Sequence, residues 1–369
     1  MNIGFVVEPY EEHEASGMGY SALEIAKIFA SGAQAKGYEL TLYSSKPINP
    51  ALVPGVYRNV LIPRSFVGQF WYFLFVTKRE VDVLFFIVAL LPFWISKKIT
   101  TVLICKELAN EHIKGGSVKE SIKIYMRDRL LMPVCVGRAT RVLASSNATK
   151  FDVMKYYKVP EKKITVVYEG FQDWGRFQSV APVLDAKLSP FFLFSGKVKT
   201  RKNVHGLVDA FIAFRKRTSE TQKLVIAGSY GGAYYQRLNS ALVAAGLREE
   251  VFFLGYVDAP MMYTLFTHAT AFVFPSFSEG FGMPLVEAMS LGTPVIAADI
   301  SVLKEVVGDA GLFVDPHSSE NISEAMERVV KEPALRETLI QKGHMQSQQF
   351  SWEKVGVQYK EVVRELQQS

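Results

Sequence analysis

Short runs of Val, Ile, Leu and Phe recur along the 369 residues without the alternation that marks a half-buried strand. In the first half they are 2–7 (NIGFVV), 39–44 (ELTLYS), 81–88 (VDVLFFIV), 99–105 (ITTVLIC), 141–146 (RVLASS) and 164–168 (ITVVY). In the second half they are 190–196, 223–228, 251–255, 271–276, 293–298 and 311–314. Helix-length amphipathic stretches separate them, among them 19–36, 117–136, 203–217, 233–245 and 284–291. Strands apolar on both faces suit a parallel sheet covered by crossover helices. Two such series in tandem predict an α/β protein of two doubly wound domains, 1–175 and 176–351, joined near the turn-rich stretch 169–189 and facing each other across a cleft. Ligands of such sheets bind beyond the carboxyl ends of the strands, so the loops there must name the chemistry.

Composition narrows the class. Hydrophobic content of 49% with 21% charged residues describes a well-buried globular chain. Two apolar runs between residues 66 and 95, of 13 and 14 residues, fall short of the ~18–20 needed to span a bilayer. The N-terminal MNIGFVVEPY has no basic segment followed by a long apolar run, so no signal peptide is expected. Cys105 and Cys135 sit in apolar surroundings, and the expected compartment is the reducing cytoplasm. The net charge of +6 is uneven: residues 1–180 carry 23 basic against 16 acidic side chains, the remainder 19 against 20. A basic first half points to an anionic partner or to an ordinary solvated surface. No nucleic-acid module accompanies it, so nucleic acid is not an expected partner.

Two stretches carry candidate chemistry. In FPSFSEGFGMPLVEAMSLGTPVIAAD (274–299) a strand ends at Phe274, a glycine loop follows, and Pro284 stands where a first helical turn begins. The amides of Gly280, Phe281 and Gly282 would face the helix entrance, where the dipole favours phosphate. Glu279 and Glu287, eight residues apart, suit hydroxyls of a sugar and a ribose; singly, they also read as a solvated loop residue and a complement to the helix N-terminus. In FSGKVKTRKNVHGLVDAF (194–211) a loop after a strand carries Lys197, Lys199, Arg201 and Lys202 ahead of a helix near Asn203. Four cations there suit a phosphate clamp, or a solvated basic loop. Arg201 and Lys202 could stabilise the growing charge of a departing diphosphate.

The order of SGKVKTRKN, LVIAGSYGG, VFFLGYV and FPSFSEGFGMPLVEAMSLGTPVIAAD resembles glycosyltransferase family 4, the retaining, mannosyltransferase-like group 1 enzymes of GT-B fold, over residues 190–330. Weaker likeness in the first half rests on SGMGY, PRSFVGQFW, SSNATK and VVYEG, and FSWEKVGVQYKEVV resembles the closing helix (352–369) that packs back on the N-terminal Rossmann-like domain. The resemblance implies that Glu279 contacts the transferred sugar, with the Gly280–Gly282 amides near sugar and phosphate, that Glu287 binds the ribose, and that Arg201 and Lys202, with Lys197, bind the diphosphate. It also implies that Gly17 lets the backbone approach the phosphates from the loop after the first strand, and that Tyr256 and Val257 lie near the nucleobase. The expected reaction is transfer with retention, without metal or other cofactor, from a nucleotide-diphospho-sugar (GDP-mannose, or a UDP-sugar) to a glycan or lipid-linked acceptor in surface-polysaccharide synthesis.

One departure concerns the acceptor side. Where many members carry a His-Asp pair, this chain reads Cys105-Lys106-Glu107. Lys106 and Glu107 could substitute, or His112 could reach in, though it also reads as a surface residue. Lys119, Lys123, Arg127 and Arg129, with Ile122, Met126 and Leu130 at helical spacing, describe a basic amphipathic helix. It suits peripheral contact with anionic membrane at the inner face, or a solvated charged surface. PRSFVGQFWYF (63–73) suits an acceptor cleft or a core helix. Competing classes are a sugar-nucleotide 2-epimerase of the same fold and a non-catalytic nucleotide-sugar-binding subunit. A nicotinamide dehydrogenase would need G-x-G-x-x-G after the first strand, and SGMGYSA supplies only two of its glycines.

Overall fold

A computed structural model describes residues 1–7, 17–63, 68–69, 72–73, 80–87, 95, 98–106 and 132–368. The first half gives β1 (Asn2–Val6), α1 (Gly17–Lys36), β2 (Glu39–Ser44), β3 (Arg58–Leu61), β4 (Val83–Phe86), β5 (Thr100–Cys105), α2 (Met132–Arg138), β6 (Arg141–Ala144), α3 (Asn147–Tyr157) and β7 (Ile164–Val166). The second half begins with β8 (Phe191–Ser195), α4 (Val204–Arg217), β9 (Lys223–Ala227), α5 (Gly232–Ala244), β10 (Val251–Gly255), α6 (Ala259–His268) and β11 (Ala271–Phe274). It continues through α7 (Met283–Ser290), β12 (Val295–Ala298), α8 (Ser301–Val307), β13 (Gly311–Val314), α9 (Ser319–Lys331), α10 (Pro333–Ser347) and α11 (Trp352–Gln368). Contacts among the described residues divide the chain into two units, one ending at Gly170 and resumed from Ser351, the other Phe171–Phe350.

Each unit has its own parallel sheet, in the order β3-β2-β1-β4-β5-β6-β7 and β10-β9-β8-β11-β12-β13. The central strands are buried along most of their length, as β1, β4, β8, β11 and β12 show. That two-sided burial is why their sequences lack alternation. β3 escaped the hydrophobic pattern because it is an edge strand whose ends are exposed, Leu61 at 55%. Gly17, expected in the loop after β1, is instead the first residue of α1.

In the first unit, two apolar clusters cover the two faces of the sheet. Phe73, from the aromatic segment 63–73, is buried with its ring centroid 5.6 Å from those of Tyr43 and Phe86, so this position belongs to the core. α11 returns to lie on α1. Its Tyr359 meets Phe29 edge-on at 5.8 Å, and Phe29 packs on Phe5 and Phe85. The return is anchored where the Trp352 ring lies against Gly170; a Cβ there would stand 2.3 Å from the ring, so only glycine fits. Residues 117–131 of the basic amphipathic segment lie outside the described residues, which include its end as α2. Among the described residues, no helix is long and apolar enough to cross a membrane.

The aromatic contacts make α11 part of the first unit's core. Tyr359→Ala is expected to cost about 3–5 kcal/mol, as for other large buried aromatics. Urea denaturation followed by tryptophan fluorescence checks it; an unshifted midpoint would remove α11 from that core.

Candidate functional site

In the second unit the strand order reverses between β8 and β11. At such a reversal the crossovers leave on opposite faces of the sheet, and a crevice opens beyond the carboxyl ends of the two strands. The loops after β8 and β11 are the two cation- and glycine-bearing motifs. Topology therefore brings together segments about 80 residues apart in sequence.

The first loop leaves β8 at Gly196, whose φ of +138° favours glycine. It approaches the end of β9 so closely that a Cβ on Gly228 would stand 2.2 Å from the Gly196 carbonyl oxygen. After a 3-10 turn, Thr200–Lys202, the chain reaches Asn203 at φ +54°, in the left-handed region that asparagine tolerates. The Asn203 carboxamide is fully buried. Its Oδ1 accepts from the Gly206 N–H at 3.2 Å and caps α4. Its Nδ2 donates to the carbonyls of Pro275 (3.0 Å) and Pro316 (2.6 Å). One amide thus fastens the loops after β8, β11 and β13. A backbone bond from Phe277 N to Arg201 O, 3.0 Å, completes the seam.

On this seam Glu279 meets both cations. Lys202 Nζ lies 2.7 Å from Glu279 Oε1 and 4.6 Å from the centroid of the Phe274 ring. Arg201 donates to the Ser278 carbonyl at 2.7 Å and stands 3.6 Å from Glu279 Oε2. The side chains of Arg201, Lys202 and Glu279 are only 14%, 13% and 7% exposed. Glu279 is therefore no solvated loop residue. Two cations and one carboxylate leave a local charge of +1 in largely desolvated surroundings, where an added anion gains more than it would in water.

Beyond Glu279 the chain turns into α7. Gly282 caps the helix at φ +97°, with Leu303 Cδ2 2.7 Å from where a Cβ would be, and Pro284 occupies the first turn. Gly280 and Phe281 are buried, and the Phe281 ring packs edge-on against Phe350. Glu287, in the body of α7, is partly exposed by surface area yet densely surrounded. Burial pushes its carboxyl up to about 7, opposed in part by the Gln172 N–H that donates to it. Such a group is a poor fixed complement to a helix N-terminus.

Of the other candidate residues, Lys197 is exposed and is not one of the two ion-pair partners of Glu279. Tyr256 and Val257 follow β10 directly, with Tyr256 63% exposed. Gly17 begins α1. Lys106 follows β5 in the first unit and pairs with Glu169. Glu107 and His112 lie outside the described residues. Among the described residues, no three His, Cys, Asp or Glu side chains gather into a metal site. The sequence alone does not single out Asn203 as the tie or Phe274 as the platform under Lys202. Asn203 reads as an ordinary helix cap, and the partners that distinguish it are remote in sequence.

Glu287 generates a signed prediction. A carboxyl whose folded pKa is raised contributes stability fully below its unfolded value of about 4.3 and loses it as pH rises through about 7. Glu287→Gln, which keeps an acceptor for Gln172, is therefore expected to match wild type near pH 4. At pH 8 it should be more stable by on the order of 3–4 kcal/mol. Equal urea midpoints for the two proteins at pH 8 would show that the carboxyl is not desolvated.

Comparison with known proteins converges on this unit. Residues 181–346 match the family model described as Glycosyl transferases group 1. The chain is 38% identical over 164 residues to the O-antigen chain mannosyltransferase B of Escherichia coli, covering 44% of this chain and 42% of that protein. It is 31% identical over 211 residues to the O-antigen chain mannosyltransferase RfbU of Salmonella typhimurium, covering 57% and 56%. The matched stretch spans about half the length of these relatives. Among solved structures, Anabaena HepE in complex with UDP and glucose is similar over 99% of this chain and 100% of its own, with a TM-score of 0.72 at 18% identity. Residues 181–346 thus resemble the group 1 glycosyl transferases, and the chain has the GT-B fold of two Rossmann-like α/β domains.

Proposed function

We propose that this protein is a retaining glycosyltransferase that moves a sugar, mannose in the favoured reading, from a nucleotide-diphospho-sugar to a glycan or lipid-linked acceptor in surface-polysaccharide synthesis. The observation that carries the reading is the half-buried Arg201–Lys202–Glu279 cluster of net charge +1 at the strand-order reversal of the second unit. A diphosphate is complementary to that charge, and the carboxylate it displaces from the cations becomes free to accept a hydroxyl of the transferred sugar. As the glycosidic bond breaks, negative charge grows on the leaving phosphate. Preorganised cations then stabilise the transition state more than the ground state. In the proposed reaction the acceptor hydroxyl attacks from the face the diphosphate leaves, and a phosphate oxygen receives its proton. Glu287 binds the ribose hydroxyls, with Tyr256 and Val257 beside the base.

Mannose is supported by the names of the two bacterial O-antigen relatives, which also point to an O-antigen type of acceptor. GDP-mannose is accordingly the favoured donor. HepE, solved with UDP and glucose, keeps UDP-sugars as the second choice.

Thermal denaturation with GDP-mannose and a panel of UDP-sugars tests the donor reading, since a ligand that binds only the native state raises its melting temperature. At least one nucleotide-sugar is expected to stabilise the chain. Lys202→Ala is expected to reduce that shift and to lower kcat by about 10²–10³-fold, the usual effect of removing one transition-state donor. Wild-type protein that no nucleotide-sugar stabilises, or Lys202→Ala with unchanged turnover, would contradict the assignment.

A further inference from the structure

Beside the charged cluster of the second unit stands a group of three rings to which the donor chemistry assigns no part. Phe277 lies in the loop after β11, two residues before Glu279. Its ring is nearly parallel to the imidazole of His317, with centroids 4.9 Å apart and an interplanar angle of 27°. It also meets the His205 ring at 5.9 Å, tilted by 43°. His205 is in the first turn of α4 and His317 in the loop between β13 and α9, and α4 packs on both α9 and α5. The Asn203 tie aligns all three rings. Its two proline partners precede Phe277 by two residues and His317 by one, and Asn203 itself precedes His205 by two.

Each imidazole is itself held. The Tyr234 hydroxyl, from the first turn of α5, accepts the His205 backbone N–H at 3.1 Å. It lies 2.9 Å from His205 Nδ1 and donates its own proton there, which leaves the neutral ring with its hydrogen on Nε2. Burial is the leading influence on this imidazole and lowers its affinity for the proton; Asp209 opposes it and Arg237 acts with it. The His317 N–H donates to Asp315 Oδ1 at 2.9 Å, which closes a short turn at the exposed ring. The rings hold the loop without using the cations. Glu279 is fixed by Lys202 and Arg201, the groups a diphosphate would engage. The Ser276 hydroxyl gives no help: it is fully buried and, among the described residues, has no hydrogen-bond partner. Once a diphosphate takes both cations, the segment keeps its backbone bond to Arg201 and the ring contacts of Phe277.

We propose that Phe277, held by His205 and His317, is the positioning residue that keeps the Glu279 carboxylate in place once a diphosphate has drawn Arg201 and Lys202 from it. The proposal rests on the glycosyltransferase reading and adds a division of labour to it. The Asn203 tie sets the cations, which face the phosphates, and the rings set the carboxylate, which faces the transferred sugar. A loop without the rings should still bind a nucleoside diphosphate, and should lose its hold on the sugar that the diphosphate carries.

The test uses the full chain with whichever of GDP-mannose or UDP-glucose raises its melting temperature, and compares that donor with GDP or UDP alone. Phe277→Leu, which stays apolar but removes the flat ring, is expected to keep the Kd for the nucleoside diphosphate within about twofold. It should weaken binding of the nucleotide-sugar by about tenfold, the loss of one charged hydrogen bond. It should also lower kcat for transfer to methyl α-mannoside or to water by about 10–100-fold, as a small displacement of a positioned group does. His317→Leu, at an exposed position where the core is left intact, should move the same two quantities in the same direction by a smaller factor. His317→Phe, which retains a ring that can stack, should return both to within about twofold of wild type. If Phe277→Leu and His317→Leu melt earlier yet keep the wild-type preference for nucleotide-sugar over nucleotide and the wild-type kcat, the rings are structural and the proposal is overturned. It is overturned equally if nucleoside diphosphate and nucleotide-sugar weaken by the same factor, since the rings would then support the cations. If wild type binds neither nucleotide-sugar, the glycosyltransferase reading fails first and takes the proposal with it.

Discussion

The second unit's site depends on one buried carboxamide. Asn203 stands between a 3-10 turn and α4 in a left-handed conformation, and it joins the carbonyls of Pro275 and Pro316. Those carbonyls open the loops after β11 and β13, which would otherwise be independent, and an unsatisfied buried polar group costs ~1–3 kcal/mol. Loss of the amide would leave both carbonyls without that partner and remove the cap of α4 together. The neighbourhood is shaped to it: a Cβ on Gly206 would stand 2.6 Å from Asn203 Oδ1, so glycine is required one turn into the helix. Arg201 and Lys202 immediately precede this residue, and Glu279 lies four residues past Pro275. The distances within the charged cluster are therefore consequences of a tie made by an uncharged side chain.

The charged cluster and the first unit's pair illustrate two kinds of buried electrostatics. Around Glu279 there is one cation too many, and Lys202 offsets part of its desolvation on the face of Phe274. Around Glu169 one cation meets one carboxylate, and Ser21 donates to the same carboxylate oxygen. An excess of positive charge attracts anions, whereas a balanced pair leaves no net charge for one. Both lie at carboxyl ends of parallel strands, where the fold leaves backbone and side chains available to a ligand.

Much of the architecture was legible because parallel strands buried on both faces have a distinctive composition. The runs 39–44, 251–255 and 311–314 coincide with β2, β10 and β13 residue for residue. β3 was not legible, because its arginine, asparagine and exposed Leu61 do not distinguish an edge strand from a loop. Arg201, Lys202 and Glu279 stood out as charges at strand ends, and the structure places them within ion-pair reach. Of the four cations in the loop after β8, Arg201 and Lys202 were singled out in the sequence, and Lys197 and Lys199, which share the loop, are exposed. The Asn203 tie spans 72 and 113 residues and the Lys106–Glu169 pair spans 63, so neither leaves a local pattern. Local sequence records propensity and burial; contacts of this range are set by topology.

Glu279 and Glu287 show how one turn can assign different behaviour to the same functional group. Glu279 precedes Gly282 and is drawn by the loop into contact with two cations. Glu287 follows it inside α7, where the nearest favourable group is a backbone N–H and the surrounding apolar packing pushes its carboxyl up to about 7. The first is balanced by fixed charge and can exchange that balance for a phosphate. The second sits near the point where proton loss costs little, so a hydroxyl that donates to it could favour the ionised form. In the proposed reaction this division matches the ligand: charge exchange occurs at the diphosphate, and the tunable carboxyl meets the neutral ribose. Pairs of carboxyl groups held in contrasting environments are a recurrent way for one scaffold to separate roles. Here the separation follows from a left-handed glycine and a proline that fix where the loop stops and the helix begins.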